Sequence, residues 1–134
     1  MATAPSTRQA SVAVVDNDAA MRDSLAWLIH SYCGYRVTSY ASGLSYLDSA
    51  VDGVRPDCLI LDIHMPEMNG VELYGILKTR DPELPVIFIT GYPDQHLAEK
   101  ARRLEPHGFF TKPLDTDALL DCLDRALGRD VNDQ

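Results

Sequence analysis

The chain predicts an α/β domain: a parallel sheet covered by helices on both faces. Two observations predict it. Short apolar runs bounded by turn residues recur along the 134 residues, as in strands buried on both faces. Segments with apolar residues at helical spacing separate them, so that strand and helix alternate five times. Such alternation closes through crossovers into a parallel sheet.

Each element has its own signal. Ser11-Val12-Ala13-Val14-Val15 is a first strand and runs into Asp16-Asn17-Asp18. Met21, Leu25, Leu28, Ile29 and Tyr32 mark the helix after it, which Gly34 stops. Tyr35 to Tyr40 alternates polar and apolar residues, which places this strand at a sheet edge. Leu44 and Leu47 mark a short helix. Cys58-Leu59-Ile60-Leu61 is a buried strand ending at Asp62. Asn69, with Glu72 three residues later, resembles a capping box, and Val71, Leu73, Tyr74 and Leu77 carry the helix to Pro82. Pro85 to Ile89 is the next strand and ends in Thr90-Gly91. Asp94 is placed to cap a helix through Leu97, Ala98, Ala101 and Leu104. Gly108 to Thr111 is the last strand, followed by Lys112-Pro113. Leu119, Leu120, Leu123, Ala126 and Leu127 form the last helix, closed by Gly128.

Composition narrows the function. The formal net charge is −8 and there is no basic stripe, which argues against nucleic acid contacts by this segment. No long apolar stretch or signal peptide is present, so a cytosolic protein without membrane contact is expected. Cys33, Cys58 and Cys122 lack CxxC spacing and read as buried, reduced thiols. Residues 1–10 read as a flexible tail, 11–128 as the domain, and 129–134 as a tail or the start of a linker.

The chemistry gathers at the strand ends, where ligands of open α/β sheets bind. Asp16 and Asp62 would repel each other there unless a cation offset their charge. An oxygen-rich site of this kind suits Mg²⁺. Lys112 adds a compact positive charge and Thr90 a hydroxyl donor. Together they meet the needs of a transferring phosphoryl group, whose charge spreads over three oxygens. Asp62 is the expected nucleophile, forming an aspartyl phosphate.

These residues resemble a known pattern. Val15-Asp16-Asn17-Asp18, Asp62-Ile63-His64-Met65-Pro66 with Gly70, Thr90-Gly91 and Lys112-Pro113 occur in the order and at the strand ends of a response regulator receiver domain, the CheY-like phosphoacceptor module of two-component signalling. The likeness covers Ser11 to Gly128 and leans toward the nitrogen-fixation-regulator type around Thr90 and Met65-Pro66. It implies a flavodoxin-like (βα)5 fold with strand order 2-1-3-4-5. It also implies that Asp62 accepts a phosphoryl group from a sensor histidine kinase or phosphotransfer protein. Mg²⁺ would be held by Asp16, Asn17, Asp62 and the backbone carbonyl of His64, and Thr90 and Lys112 would bind phosphoryl oxygens. Phe109 falls at the family's aromatic switch, although an aromatic in a strand is ordinarily core. The bond before Pro113 would be cis. Readout, and a homodimer, would use the fourth and fifth helices and the fifth strand.

The chain departs from the pattern in places. Asn17 stands where most relatives carry a second acidic residue, and Glu105-Pro106 where a Gly-Ala pair is usual. His64 occupies a position that in the family tunes loss of the phosphoryl group, and its side chain reads as an exposed loop residue. His30, His96 and His107 lack ligand spacing and read as structural or surface residues. Two rival readings stand beside the receiver. One is a haloacid-dehalogenase-type phosphatase with Asp16 as nucleophile, weakened by Ala20 two positions after Asp18 and by the idle Asp62. The other is a degenerate receiver that only binds proteins, which Asn17 alone supports.

Overall fold

The computed structural model describes residues 9–50 and 55–129. Among the described residues ten elements alternate: β1 (Ser11–Val15), α1 (Ala19–Cys33), β2 (Arg36–Tyr40), α2 (Gly43–Ala50), β3 (Cys58–Asp62), α3 (Gly70–Arg80), β4 (Val86–Thr90), α4 (His96–Arg103), β5 (Gly108–Thr111) and α5 (Thr116–Ala126). The strands form one sheet in the order β2-β1-β3-β4-β5, with every pairing parallel. This is the expected fold and strand order. The alternating strand is β2, and it lies at the edge.

The pleat divides the core into two layers. Ala13, Val15, Leu59, Leu61 and Phe88 face α2, α3 and α4 through Tyr46, Leu73, Leu77, Ala98 and Ala101. Val12, Val14, Cys58, Ile60, Ile87 and Ile89 face α1 and α5 through Leu25, Ile29, Leu119 and Leu123. Both faces of β3 and β4 are thus dry, which is why their sequences read as unbroken apolar runs.

The helix ends show local chemistry. Asp18 caps α1 by accepting a bond from the Ala20 amide, and Gly34 ends it in the left-handed region at φ 75°. Asn69 and Glu72 form the expected capping box at 2.9 Å in both directions. Gly70 is required here by space, because a Cβ on it would stand 2.5 Å from the Asp62 carbonyl oxygen. Its amide donates to the Ile63 carbonyl at 2.8 Å, so the start of α3 is pulled directly onto the end of β3.

Four details differ from the sequence reading. Asp94 does not cap α4; Gln95 takes that position without a side-chain bond. The Gln95 amide donates to the Tyr92 carbonyl, and this turn absorbs Pro93 and Asp94 before the helix begins. Tyr32 is 70% exposed, because Leu25, Ile29 and the partly buried Cys33 form the inward i, i+4 line and leave it outside. In α2 Tyr46 is buried, with Leu44 turned outward. Cys58 and Cys122 are buried free thiols, but Cys33 is only partly covered.

Gln9 and Ala10 are held to the domain. The Gln9 side-chain amide donates to the Gly34 carbonyl at 2.6 Å, and the Ala10 carbonyl accepts from Arg36 at 2.8 Å. Residues 1–8 of the expected tail, and residues 130–134 at the other end, lie outside the described residues. Among the described residues no helix is long and apolar enough to cross a membrane.

Candidate functional site

Strand register brings the carboxylates together. Val15 of β1 pairs with Leu61 of β3, so Asp16 and Asp62 leave neighbouring strands at the same level. Both are buried, Asp16 completely and Asp62 to 4% exposure. Thr90 pairs with Thr111, which puts Lys112 one step beyond the end of β5 on the same rim. Lys112 Nζ lies 3.0 Å from Asp16 Oδ2 and 3.9 Å from Asp62 Oδ1. The Lys112-Pro113 bond is cis, as the resemblance implied.

Asp16 is held on several sides. Its Oδ1 accepts the Asp18 amide at 2.9 Å, and its carbonyl accepts Arg22 Nη1 at 2.7 Å. Arg22 was not anticipated; its only sequence signal is its place in the first turn of the helix that follows Asp16. Asp18 spends its own carboxylate on capping α1.

The electrostatics show an uncompensated site. Burial, and after it the charge of Asp16, push the Asp62 carboxyl up to about 7, against the opposing effects of Lys112 and the His64 amide. One ammonium faces two buried carboxyls, so a second cation would relieve the strain. The open cavity above them, about 340 Å³, is lined by Asp16, Asn17, Asp18, Asp62, His64, Gly91, Tyr92 and Lys112. Among the described residues no group of three His, Cys, Asp or Glu side chains gathers to hold a metal. Two carboxylates with an amide, a backbone carbonyl and water nevertheless fit Mg²⁺, which keeps several waters and needs only one or two carboxylates.

Thr90 and His64 are where the structure adds most. Thr90 is fully buried, and its Oγ1 accepts the Tyr92 amide at 2.9 Å and lies 3.0 Å from His64 Nδ1. The side chain of His64 is therefore not the exposed loop residue that the sequence suggested. Its ring meets Tyr92 edge-on, with centroids 5.1 Å apart, and its Nε2 is buried without a hydrogen-bond partner. Desolvation, followed by the charge of Lys112, lowers its basicity. Phe109 is partly buried against the α3–α4 core layer, and the Arg102 guanidinium lies 4.3 Å from its ring centroid.

Comparison with known proteins agrees with this geometry. Residues 12–124 match the family model described as the response regulator receiver domain. The transcriptional regulatory protein FixJ of Bradyrhizobium diazoefficiens is 35% identical over 121 residues, covering 90% of this chain and 58% of that protein. The crystal structure of FixJ-N is 31% identical with a TM-score of 0.78, covering 91% of this chain and 96% of the other. A response regulator receiver protein from Burkholderia phymatum is 34% identical with a TM-score of 0.77, covering 90% and 97%. These include relatives of the FixJ type toward which the motifs leaned. The chain spans little more than half the length of the curated relatives it matches. With its βα alternation, strand order and strand-end motifs all in agreement, this chain belongs to the response regulator receiver domain family of two-component signalling.

Proposed function

We propose that Asp62 is the phosphoacceptor. The observation that carries this reading is a buried carboxylate at the end of β3, opening on a cavity and flanked by Asp16 and Lys112. An ionised Asp62 oxygen attacks phosphorus, an O–P bond forms, and the P–N bond to the donor's phosphohistidine breaks. Lys112 neutralises oxygen charge as it develops, and the Thr90 hydroxyl donates to a second phosphoryl oxygen. Asp16, Asn17, Asp62 and the His64 carbonyl would hold Mg²⁺, which would supply charge neutralisation when bound. Pro113 follows Lys112 through a cis bond.

Phosphorylation then biases a two-state equilibrium. Phe109 is the candidate switch, and the surface of α4, β5 and α5 is the candidate readout and homodimer face. The donor is a histidine kinase or phosphotransfer protein. By analogy with relatives named as transcriptional regulators, a longer protein containing this segment would control transcription.

The test is incubation with Mg²⁺ and acetyl phosphate, followed by intact-mass measurement. One phosphoryl group should add, and Asp62→Asn should abolish the addition. Labelling that survives in Asp62→Asn would reject Asp62. A wild-type domain that binds neither Mg²⁺ nor phosphoryl analogues would instead be the degenerate, protein-binding form.

A further inference from the structure

Thr90 and the cavity do not meet directly. The wall beside Asp62 is formed by His64, Gly91 and Tyr92, whereas Thr90 is fully buried and not on that wall. Its hydroxyl is engaged between His64 Nδ1 at 3.0 Å and the Tyr92 amide at 2.9 Å.

The position of that oxygen is what its two contacts fix. A hydroxyl has one hydrogen and two lone pairs. The Tyr92 N–H fills one lone pair. If Nδ1 of a neutral imidazole accepts, the single hydrogen is committed to His64. If Nδ1–H donates instead, both lone pairs are filled and the hydrogen stays free, but the oxygen is still tied to His64 and off the cavity lining. Under either tautomer the contact with His64 must break before Thr90 can turn toward the cavity.

We propose that His64 is a positioning residue whose imidazole holds the Thr90 hydroxyl out of the phosphoryl cavity, so that phosphorylation must exchange a Thr90–imidazole bond for a Thr90–phosphoryl bond. This rests on Asp62 being the phosphoacceptor. The exchange has a second consequence. Nε2 is already buried without a partner, so an imidazole that also loses Thr90 has neither nitrogen satisfied. His64 lines the open cavity, so loss of Thr90 removes the bond that fixes its ring there. Tyr92 contacts that ring edge-on and is 57% exposed, so it has room to move with it.

The experiment is a beryllofluoride titration in Mg²⁺, with His64→Leu and His64→Asn beside the wild type. Leucine fills similar space without a bond to Thr90. Asparagine places an amide oxygen near the position of Nδ1 and restores the acceptor. Neither alters the backbone carbonyl of residue 64. Circular dichroism verifies that both variants are folded. His64→Leu should bind beryllofluoride about threefold to tenfold more tightly, the range set by one net hydrogen bond. His64→Asn should stay near the wild type. In the wild type, beryllofluoride should shift the ¹⁵N resonance of His64 Nδ1 together with the Tyr92 ring signals.

An unchanged or weaker affinity in His64→Leu, or an asparagine variant that behaves like leucine, overturns the holding role. An Asp62→Asn control separates the two failures. If the wild type binds beryllofluoride, Asp62→Asn abolishes binding and His64→Leu changes nothing, only the role of His64 is lost. If the wild type does not bind at all, the phosphoacceptor reading fails and the role of His64 fails with it.

Discussion

Lys112 has Asp16 as its nearer partner, at 3.0 Å, with Asp62 at 3.9 Å. The ammonium crosses the rim from β5 to the end of β1, and its side chain is 21% exposed against none for Asp16. It therefore stabilises the carboxylate that cannot reach solvent while remaining within range of the one that opens on the cavity. Removing one partner of a buried ion pair strands the other charge. Lys112→Met should destabilise the metal-free domain by roughly 1–3 kcal/mol, below the fully buried range because the ammonium is partly solvated. Saturating Mg²⁺ should recover part of that loss, and phosphorylation should remain impaired. Urea unfolding with and without Mg²⁺ measures it; equal loss in both conditions would make Lys112 a structural residue.

The raised carboxyl of Asp62 predicts a pH dependence of defined sign. A folded-state value of about 7 against 3.8 means that the native state holds a proton that the unfolded chain has released. The resulting stability is fully present below pH 3.8 and is lost as pH rises toward 7. The metal-free domain should weaken across that window, as far as this group is concerned. Asp62→Asn should flatten the slope and stabilise the metal-free domain at neutral pH by on the order of 2 kcal/mol, a figure discounted for partial solvation. Denaturant midpoints of both proteins in chelator at several pH values would show it. Parallel slopes would mean that Asp62 titrates normally.

Asn17 is exposed and lines the same cavity as Asp16 and Asp62. A third carboxylate there would attract a divalent ion more strongly than it repels any one neighbour. Asn17→Asp should bind Mg²⁺ more tightly by roughly 1 kcal/mol or more, while the metal-free form loses stability. Magnesium titration and chelator-controlled melting measure the two effects. Unchanged affinity would show that residue 17 does not face the ion.

Glu105 follows α4 with φ 53°, in the left-handed region. A side chain there costs about 1–2 kcal/mol, which glycine avoids while giving back part of the gain through a freer unfolded chain. Glu105→Gly should therefore stabilise the domain by about 0.5–1 kcal/mol, and a β-branched Glu105→Val should destabilise it. Thermal denaturation of the pair would reveal opposite shifts; shifts of the same sign would refute the conformational cause.

Gly70→Ala should be damaging for the opposite reason. The added methyl would meet the Asp62 carbonyl oxygen at 2.5 Å and the Ile63 Cα at 2.9 Å, both backbone atoms that cannot step aside. A loss of about 2–3 kcal/mol is expected, with altered Mg²⁺ affinity because β3 must move. Stability within 0.5 kcal/mol of wild type would show that α3 can back away from the strand end.

The fold was legible because burial on both faces leaves a mark on every residue of a strand. Cys58–Asp62 and Val86–Thr90 have no polar position to spare, so their ends were visible as the first polar residues, Asp62 and Thr90. The capping box at Asn69 was equally plain, since it is a bond between residues three apart. The sequence by itself thus determined the element order, the edge position of β2 and which residues end the strands. Contacts between residues distant in the chain were decided by the tertiary structure. Sequence spacing placed Tyr32 on the inward stripe of α1 and Asp94 at a helix start; packing and a turn at Tyr92 moved both. Arg22 meets the Asp16 carbonyl only because α1 folds back over β1. His64 meets Thr90 because Asp62 pairs with Ile89, so the ends of β3 and β4 emerge side by side. Local chemistry repeats along a chain and can be read there, but a bond across 26 residues depends on strand register.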